Sequence, residues 1–161
     1  MYVEIERKFL VRSEAFKALA THHYTIAQGY ISRDPGRTVR IRMKDNQGYL
    51  TIKATSSESG LTRLEWEKAI NKQDFDLLWP LCLPGSILKT RFEIPYHNHT
   101  IEVDVFHHEN TGLILAEIEL KNENDLVYLP DWLGEEVTGD ERYYNSYLSA
   151  HPYSTWATPI E

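Results

Sequence analysis

The chain contains very little cysteine and no long apolar run. Cys82 is the only cysteine among 161 residues, so no disulfide can form within the chain, as is usual for proteins of the reducing cytoplasm. No stretch approaches the roughly 20 apolar residues of a transmembrane helix. The N-terminus also lacks the basic and then hydrophobic segments of a secretory signal. We therefore expect a cytoplasmic protein with no membrane partner.

The chain also has fewer positively than negatively charged residues. The chain has 17 Lys and Arg residues against 24 Asp and Glu residues, which gives a net charge of -7. A general nucleic-acid binder is basic overall, so we expect no nucleic-acid partner. A small polyanion can still be a ligand, provided that the positive charges are gathered in one place.

The composition predicts one globular domain over residues 1–161. The hydrophobic content is 42%, and no linker or low-complexity tract divides the chain. We expect the tail of residues 151–161 either to pack on this domain or to be mobile.

Residue alternation and turn residues predict a fold of the α+β class that is mainly β. Short turns between the strands favour antiparallel pairing, and eight strands are enough to close a barrel. Three helices are expected at 13–21, 72–81 and 140–150, with helical or irregular chain at 123–137. The strands are expected at 2–11, 24–33, 37–44, 48–56, 62–70, 86–96, 99–107 and 111–121.

Charged side chains alternate with apolar ones along almost every predicted strand. Successive side chains of a strand point to opposite faces, so the first strand places Glu4, Glu6 and Lys8 on one face. The corresponding face of the later strands carries Arg40 and Arg42, Lys53, Arg63 with Glu65 and Glu67, Lys89 and Arg91, Glu102 and Asp104, and Glu117 and Glu119.

Alternation alone does not say which face lies inside a barrel, because an ordinary sheet has an apolar core face and a solvated outer face. Here the charged face has almost no serine or threonine, and its charges are sorted by strand. The third, fourth and sixth strands are cationic, whereas the seventh and eighth are anionic. Exposed ion pairs contribute only about 0–1 kcal/mol, but clustered Arg and Lys bind phosphate and clustered carboxylates bind hard divalent cations. We therefore expect the charges to line a wet tunnel.

The ordered set of charged strands resembles the CYTH superfamily, the triphosphate tunnel metalloenzymes. The resemblance covers essentially the whole chain. It implies an eight-stranded antiparallel barrel whose tunnel binds a triphosphate together with Mg2+ or Mn2+, two ions per site. Besides the strand pairs above, the resemblance rests on Glu4-x-Glu6-x-Lys8, Glu136-Val-Thr-Gly-Asp140 and Tyr143-Tyr-Asn145.

The resemblance and the charge of each side chain together imply a division of roles. Cations should clamp the phosphate chain, and carboxylates should hold the metals. The expected substrate-binding residues are Lys8, Arg40, Arg42, Lys53, Lys89 and Arg91. The expected ligands of the first metal are Glu4, Glu6, Glu117 and Glu119, and the candidates for the second are Glu65, Glu67, Glu102 and Asp104.

Four residues are candidates for direct catalytic roles. Tyr30 shares its strand face with Gln28 and Ser32, so we expect it to point inward, where it would contact the leaving group or pair with Lys89. The alternative is a packed strand tyrosine. The candidate catalytic residues are Lys89, Tyr30, Glu65 and Glu67.

The expected function is metal-dependent hydrolysis of inorganic tripolyphosphate to diphosphate and phosphate. We expect no appended domain, and the chain is close to the smallest size of tunnel that the resemblance implies. A nucleoside or thiamine triphosphate is the alternative substrate, and it would need a platform for its ring at the tunnel mouth. An adenylyl cyclase and a non-enzymatic binder of polyphosphate or nucleotides are further alternatives. The oligomeric state stays open, with a homodimer as one candidate.

Overall fold

The computed structural model describes residues 2–34, 36–55 and 62–156. Within these ranges, the helices are α1 (Phe16–Leu19), α2 (Lys72–Leu78) and α3 (Asn145–Ala150), with 3-10 turns at Trp79–Leu81, His108–Asn110, Glu141–Tyr143 and Tyr153–Thr155. The strands are β1 (Tyr2–Val11), β2 (His22–Asp34), β3 (Arg37–Lys44), β4 (Gln47–Thr55), β5 (Thr62–Ile70), β6 (Ile87–Tyr96), β7 (His99–Phe106), β8 (Ile114–Glu119) and β9 (Leu133–Glu136).

Eight of the described strands form a closed antiparallel barrel. Their order around the ring is β1-β5-β4-β3-β2-β6-β7-β8, and β8 pairs again with β1. The first strand closes the ring because its two halves have different partners. Tyr2 lies opposite Glu65 of β5, whereas Glu6 lies opposite Glu119 of β8. The predicted eight-stranded antiparallel barrel is confirmed.

A further strand, β9, lies in the segment that we expected to be helical or irregular. It pairs with the end of β1 and places Glu136 opposite Phe9. Leu133-Gly-Glu-Glu136 is too short to show a strand period, and only the free edge of β1 makes it a strand. The expected helix at 13–21 is also shorter than predicted, since α1 has four residues.

The larger of the two apolar core clusters lies outside the barrel wall. Outward side chains of β1, β6, β7 and β8 pack beneath α1 and the chain before β9. Phe16 of α1 is fully buried there, with its ring centroid 5.4 Å from Phe92 and 5.8 Å from Trp132. Because side chains alternate along a strand, this packing directs the charged residues into the barrel. The buried residues of this cluster are Phe9, Phe16, Ile94, Ile101, Val103, Ala116, Ile118, Leu120, Trp132 and Leu133.

The last helix, α3, is fixed against the barrel by close backbone contact. Gly85 has a φ of 104°, and a Cβ built on it would lie 1.8 Å from the carbonyl oxygen of Ser149. Only glycine suits both this conformation and this space. Arg33 donates to the carbonyl oxygen of Pro84 at 2.7 Å and to Oγ of Ser149 at 3.2 Å. These contacts hold the start of β6 and α3 together.

The chain after α3 packs on the molecule as far as Trp156. The Trp156 ring contacts Tyr143 and Tyr153, at centroid distances of 5.4 and 5.0 Å. Residues 157–161 of the tail lie outside the described residues. In the part of the chain that is described, no helix has the length and apolar character needed to cross a bilayer.

Candidate active site

The barrel encloses a cavity of about 160 Å³ with a charged wall. Every barrel strand except β2 contributes at least one charged residue to this wall, and β2 contributes Tyr30. Of the residues predicted for the site, those that line the cavity are Glu4, Glu6, Lys8, Tyr30, Arg40, Arg42, Lys53, Glu65, Glu67, Lys89, Arg91, Glu102, Glu117 and Glu119.

Several lining residues had no predicted role. Thr38 and Lys44 share the inward face of β3, and Arg63 shares that of β5, so strand alternation carried a signal for them. The residues from α3 had a weaker signal, the Tyr143-Tyr-Asn145 motif, which does not reveal that this segment folds across the barrel. The lining residues without a predicted role are Thr38, Lys44, Thr51, Arg63, Tyr144, Asn145 and Ser146.

Three arginines in the wall have unused hydrogen-bond donors. The Nε atoms of Arg40, Arg42 and Arg63 are buried and have no hydrogen-bond partner in the described part of the chain. Burial, followed by repulsion from Arg40 and Arg91, lowers the pKa of Arg42 to about 10. A buried, unsatisfied donor costs about 1–3 kcal/mol. An anion with several oxygen atoms would satisfy these donors and relieve the crowding of positive charge.

Carboxylates face one another on the opposite part of the wall. Glu6 lies opposite Glu119 in the β1–β8 register, and Glu102 lies opposite Glu117 in the β7–β8 register. Like charges directly across a sheet are destabilising. Burial, then repulsion from Glu117 and Glu4, raises the pKa of Glu6 well above its ordinary value. The protein's own structure therefore favours a proton on Glu6.

Glu117 has the opposite behaviour. Burial disfavours its charge, but Lys8 and a hydrogen bond from Glu6 outweigh burial and hold the pKa of Glu117 well below its ordinary value. These opposite shifts favour one proton for the pair, on Glu6 rather than on Glu117. Such a proton occupies a place where oxygen ligands could instead hold a cation.

The acidic residues fit a hard divalent cation by their chemistry, since they offer carboxylate oxygens on adjacent strands. They are not yet grouped around one point. Lys53 lies 3.0 Å from Glu4, and Lys8 lies 3.6 Å from Glu117. Within residues 2–34, 36–55 and 62–156, no three His, Cys, Asp or Glu side chains form a ready-made metal cluster. A cation would have to compete with these lysines for the same oxygens.

Asp104 is the one predicted site residue that does not line the cavity. It lies opposite Arg91 in the β6–β7 register, and its short side chain ends at the guanidinium. Arg91 donates from Nε and Nη2 to its two oxygens at 2.7 and 2.9 Å, and Nζ of Lys89 lies 2.8 Å away. Although burial opposes its charge, Arg91 and Lys89 lower the pKa of Asp104 to about 2. Asp104 is thus the counter-ion of two wall cations, and a metal ion would have to compete with them for its oxygens.

Lys89 is almost fully buried, with 1% of its surface exposed. Its ammonium contacts Asp104 and donates to Oδ1 of Asn145 at 2.8 Å. Burial, together with the nearby Arg91, outweighs Asp104 and lowers the pKa of Lys89 to about 8. Tyr30 lines the cavity but also packs in a buried apolar cluster with Ile87. Among the described residues, no hydrogen bond joins Tyr30 to Lys89.

The chain matches a known family over most of its length. The CYTH domain matches residues 3–146. An inorganic triphosphatase of Acetivibrio thermocellus is 45% identical over 154 residues, which cover 95% of this chain and 97% of that protein. An inorganic triphosphatase of Nitrosomonas europaea is 36% identical over 151 residues, which cover 91% of this chain and 96% of that protein.

A solved structure shows the same architecture. The crystal structure of an inorganic triphosphatase superposes with a TM-score of 0.64 at 31% sequence identity. The superposition covers 92% of this chain and 95% of that one.

Proposed function

This chain belongs to the CYTH domain family, and on that premise we infer that it is an inorganic triphosphatase. It hydrolyses a triphosphate to diphosphate and phosphate. Two relatives that match nearly its whole length carry this activity in their names. The barrel fold of a solved triphosphatase covers the same residues.

The observation that carries this inference is the presence of unused donors and crowded carboxylates in one cavity. Among the described residues, eight cationic and seven acidic side chains line it, although the whole chain has a net charge of -7. The buried Nε atoms of Arg40, Arg42 and Arg63 can donate hydrogen bonds to an anion. The raised pKa of Glu6 beside the lowered pKa of Glu117 indicates carboxylate oxygens that a cation can bind in place of a proton. A triphosphate with a divalent metal meets both demands.

The cationic residues bind and orient the phosphate chain. Guanidinium groups can donate two parallel hydrogen bonds to a phosphate, whereas a lysine acts as a point charge. Arg40 and Arg42 lie two residues apart on β3, and Arg63 lies on β5, so the three can contact different phosphate oxygens. The remaining members of the proposed clamp are Lys8, Lys53, Lys89 and Arg91.

Carboxylates of the wall would hold Mg2+ or Mn2+, with two ions per site. Glu4, Glu6, Glu117 and Glu119 are the proposed ligands of the first ion, and Glu102 is a proposed ligand of the second. Bound ions of this kind neutralise phosphate charge and lower the pKa of a water molecule for in-line attack.

Several residues act on the phosphates or the attacking water without being first-metal ligands. Glu65 and Glu67 face the same cavity as the clamp and can accept hydrogen bonds from water. The Lys89 ammonium can stabilise charge that develops on the transferred phosphoryl group. Tyr30, whose side chain reaches the cavity from the apolar cluster, can contact the leaving group.

The proposal is tested by measuring phosphate release from tripolyphosphate, ATP and thiamine triphosphate. Each substrate is assayed with Mg2+, with Mn2+ and with a chelator. We expect metal-dependent release from tripolyphosphate, with a kcat/KM far above that for the other two. A preference for ATP or thiamine triphosphate would move the protein to the alternative substrates. Absence of release from all three would refute the triphosphatase function and favour a cyclase or a binding role.

A further inference from the structure

The side chain of Asn145 makes two hydrogen bonds at the inner end of α3. Its Oδ1 accepts from Nζ of Lys89 at 2.8 Å and from Nε2 of Gln28 at 3.0 Å. An ammonium can only donate, so Asn145 must present its oxygen to Lys89. Gln28 must then present its amide nitrogen to that same oxygen. The charge of Lys89 therefore fixes the orientation of both amides.

These contacts use two of the three hydrogen-bond donors of Lys89. One N–H is directed to Asp104 at 2.8 Å and another to Asn145. In the described part of the chain no partner accepts a hydrogen bond from the third, and Lys89 lines the cavity that we assign to the phosphates. A lysine side chain has about 2 kcal/mol of rotamer entropy, so a single anchor would leave its head free to turn. Two anchors on different elements, β7 and α3, fix the direction of the remaining donor.

The neighbours of Asn145 contact further cations of the cavity. The carbonyl oxygen of Tyr143 accepts a hydrogen bond from Nζ of Lys8 at 3.0 Å. The ring of Tyr144 lies 5.3 Å from Nζ of Lys8 and 5.0 Å from Cζ of Arg63, within the range of cation–π contacts. The Tyr143-Tyr-Asn145 motif thus contacts cations from three strands.

We propose that Asn145 is a positioning residue for triphosphate hydrolysis. Its carboxamide oxygen holds the Lys89 ammonium so that the third N–H points toward the phosphate chain. Gln28, which is fully buried, holds the carboxamide in turn. This role rests on the proposed function, because it assigns Lys89 to the phosphate that is transferred.

Three variants separate positioning from simple structural support. Asn145→Leu keeps the size of the side chain and removes the acceptor, whereas Asn145→Asp keeps an acceptor oxygen. Ser149→Ala removes a hydrogen bond of α3 to Arg33 and leaves the Lys89 contacts in place. It is the control for a loosened helix.

We expect Asn145→Leu to lower kcat for tripolyphosphate about 10- to 100-fold, with KM changed less than about 3-fold, because misaligned groups cost mainly the chemical step. Asn145→Asp should restore kcat to within about 5-fold of wild type. Ser149→Ala should lower the Tm but keep wild-type kcat. The role is refuted if Asn145→Leu keeps full kcat, if Asn145→Asp is equally impaired, or if Ser149→Ala reproduces the loss.

A second measurement does not depend on activity. A buried ammonium with two fixed acceptors exchanges its protons slowly, so Lys89 should give a 15Nζ–1H correlation at pH 6, assigned by its absence in Lys89→Arg. The signal should persist in Asn145→Asp and broaden or vanish in Asn145→Leu. An unchanged signal in Asn145→Leu would overturn the positioning. Inactive wild-type protein with the expected signals would refute the proposed function but keep the Lys89–Asn145 contact.

Discussion

At the scale of single residues, the barrel interior contains charges that the protein alone leaves unbalanced. Buried donors on Arg40, Arg42 and Arg63 lack partners within the described residues. Burial, then repulsion from Glu117 and Glu4, raises the pKa of Glu6 well above its ordinary value. Buried polar groups are normally satisfied, so these features point to ligands of both signs. Two predictions concern individual charged side chains of the cavity wall.

The first prediction contrasts the two acidic neighbours. In the presence of a chelator at pH 7, Glu6→Gln should change the free energy of unfolding by less than about 0.5 kcal/mol, since glutamine resembles the protonated form that the raised pKa of Glu6 favours. Glu117→Gln should lower it by about 1–3 kcal/mol, because it removes the carboxylate that Lys8 and Glu6 contact. Urea unfolding measures both values, and equal losses in the two variants would contradict the assigned proton.

The second prediction concerns the pH dependence of activity. The pKa of Lys89 is lowered to about 8, so the free enzyme loses this positive charge as the pH rises through that value. We expect kcat/KM for tripolyphosphate to fall above about pH 8 at saturating metal. Arginine stays protonated there, so Lys89→Arg should lack this decline even if its activity is lower throughout. A decline that persists in Lys89→Arg would assign the titration to another group.

At the scale of elements, the sequence predicted those strands in which charged and apolar residues alternate with a period of two. The runs around Arg40-Ile-Arg42 and Glu117-Ile-Glu119 show this alternation directly, and they form β3 and β8. β9 was missed because four residues carry no period, and only its pairing with β1 defines it. The position of α3 across the barrel could not be predicted from the sequence either, because it depends on contacts with residues far away in sequence.

The third prediction concerns the anchor of α3. Gly85→Ala should lower the free energy of unfolding by at least about 1–3 kcal/mol, because the left-handed backbone and the carbonyl of Ser149 leave no room for a methyl group. Activity should fall as well, because a methyl group on Gly85 would displace the backbone of α3, which carries Asn145, whereas Ser149→Ala leaves that backbone in place. Gly36→Ala is the matched control.

A Cβ on Gly36 would meet only Oδ1 of Asp34, at an ordinary 3.4 Å, so the control should stay within about 0.5 kcal/mol of wild type. Urea unfolding and phosphate release measure the two effects. If Gly85→Ala is as stable and active as Gly36→Ala, the proposed anchoring of α3 is wrong.

At the scale of the whole molecule, the barrel has its apolar surface outside and its charges inside. Sorting of charge by strand predicted this inversion, because mixed ionic faces gain little when they are exposed. The sequence also predicted most of the cavity wall. It could not show that Asp104 is covered by Arg91 and Lys89, since that depends on the length of each side chain in the folded barrel. The contacts of Asn145 could not be predicted either, because they also depend on residues that are far away in sequence.

The fourth prediction is that anion and cation stabilise the fold cooperatively. A ligand that binds only the native state raises stability by mass action, by about 2.7 kcal/mol at 100 times its Kd. Mg2+ should relieve the repulsion between carboxylates, and an imido-bridged triphosphate should satisfy the free arginine donors. We expect the rise in Tm with both ligands to exceed the sum of the separate rises. A combined rise no larger than that sum would show that they do not share one site.

A crystal structure of the protein with Mn2+ and the imido-bridged triphosphate tests most directly whether the barrel interior is the active site. We expect an anomalous peak for Mn2+ at the carboxylates of Glu6 and Glu117, with the phosphates held by Arg40, Arg42 and Arg63. Lys89 should reach a phosphate oxygen while it keeps its contact with Asn145. A triphosphate bound on the outer wall, or Mn2+ bound away from these carboxylates, would contradict the claim that the barrel interior is the active site.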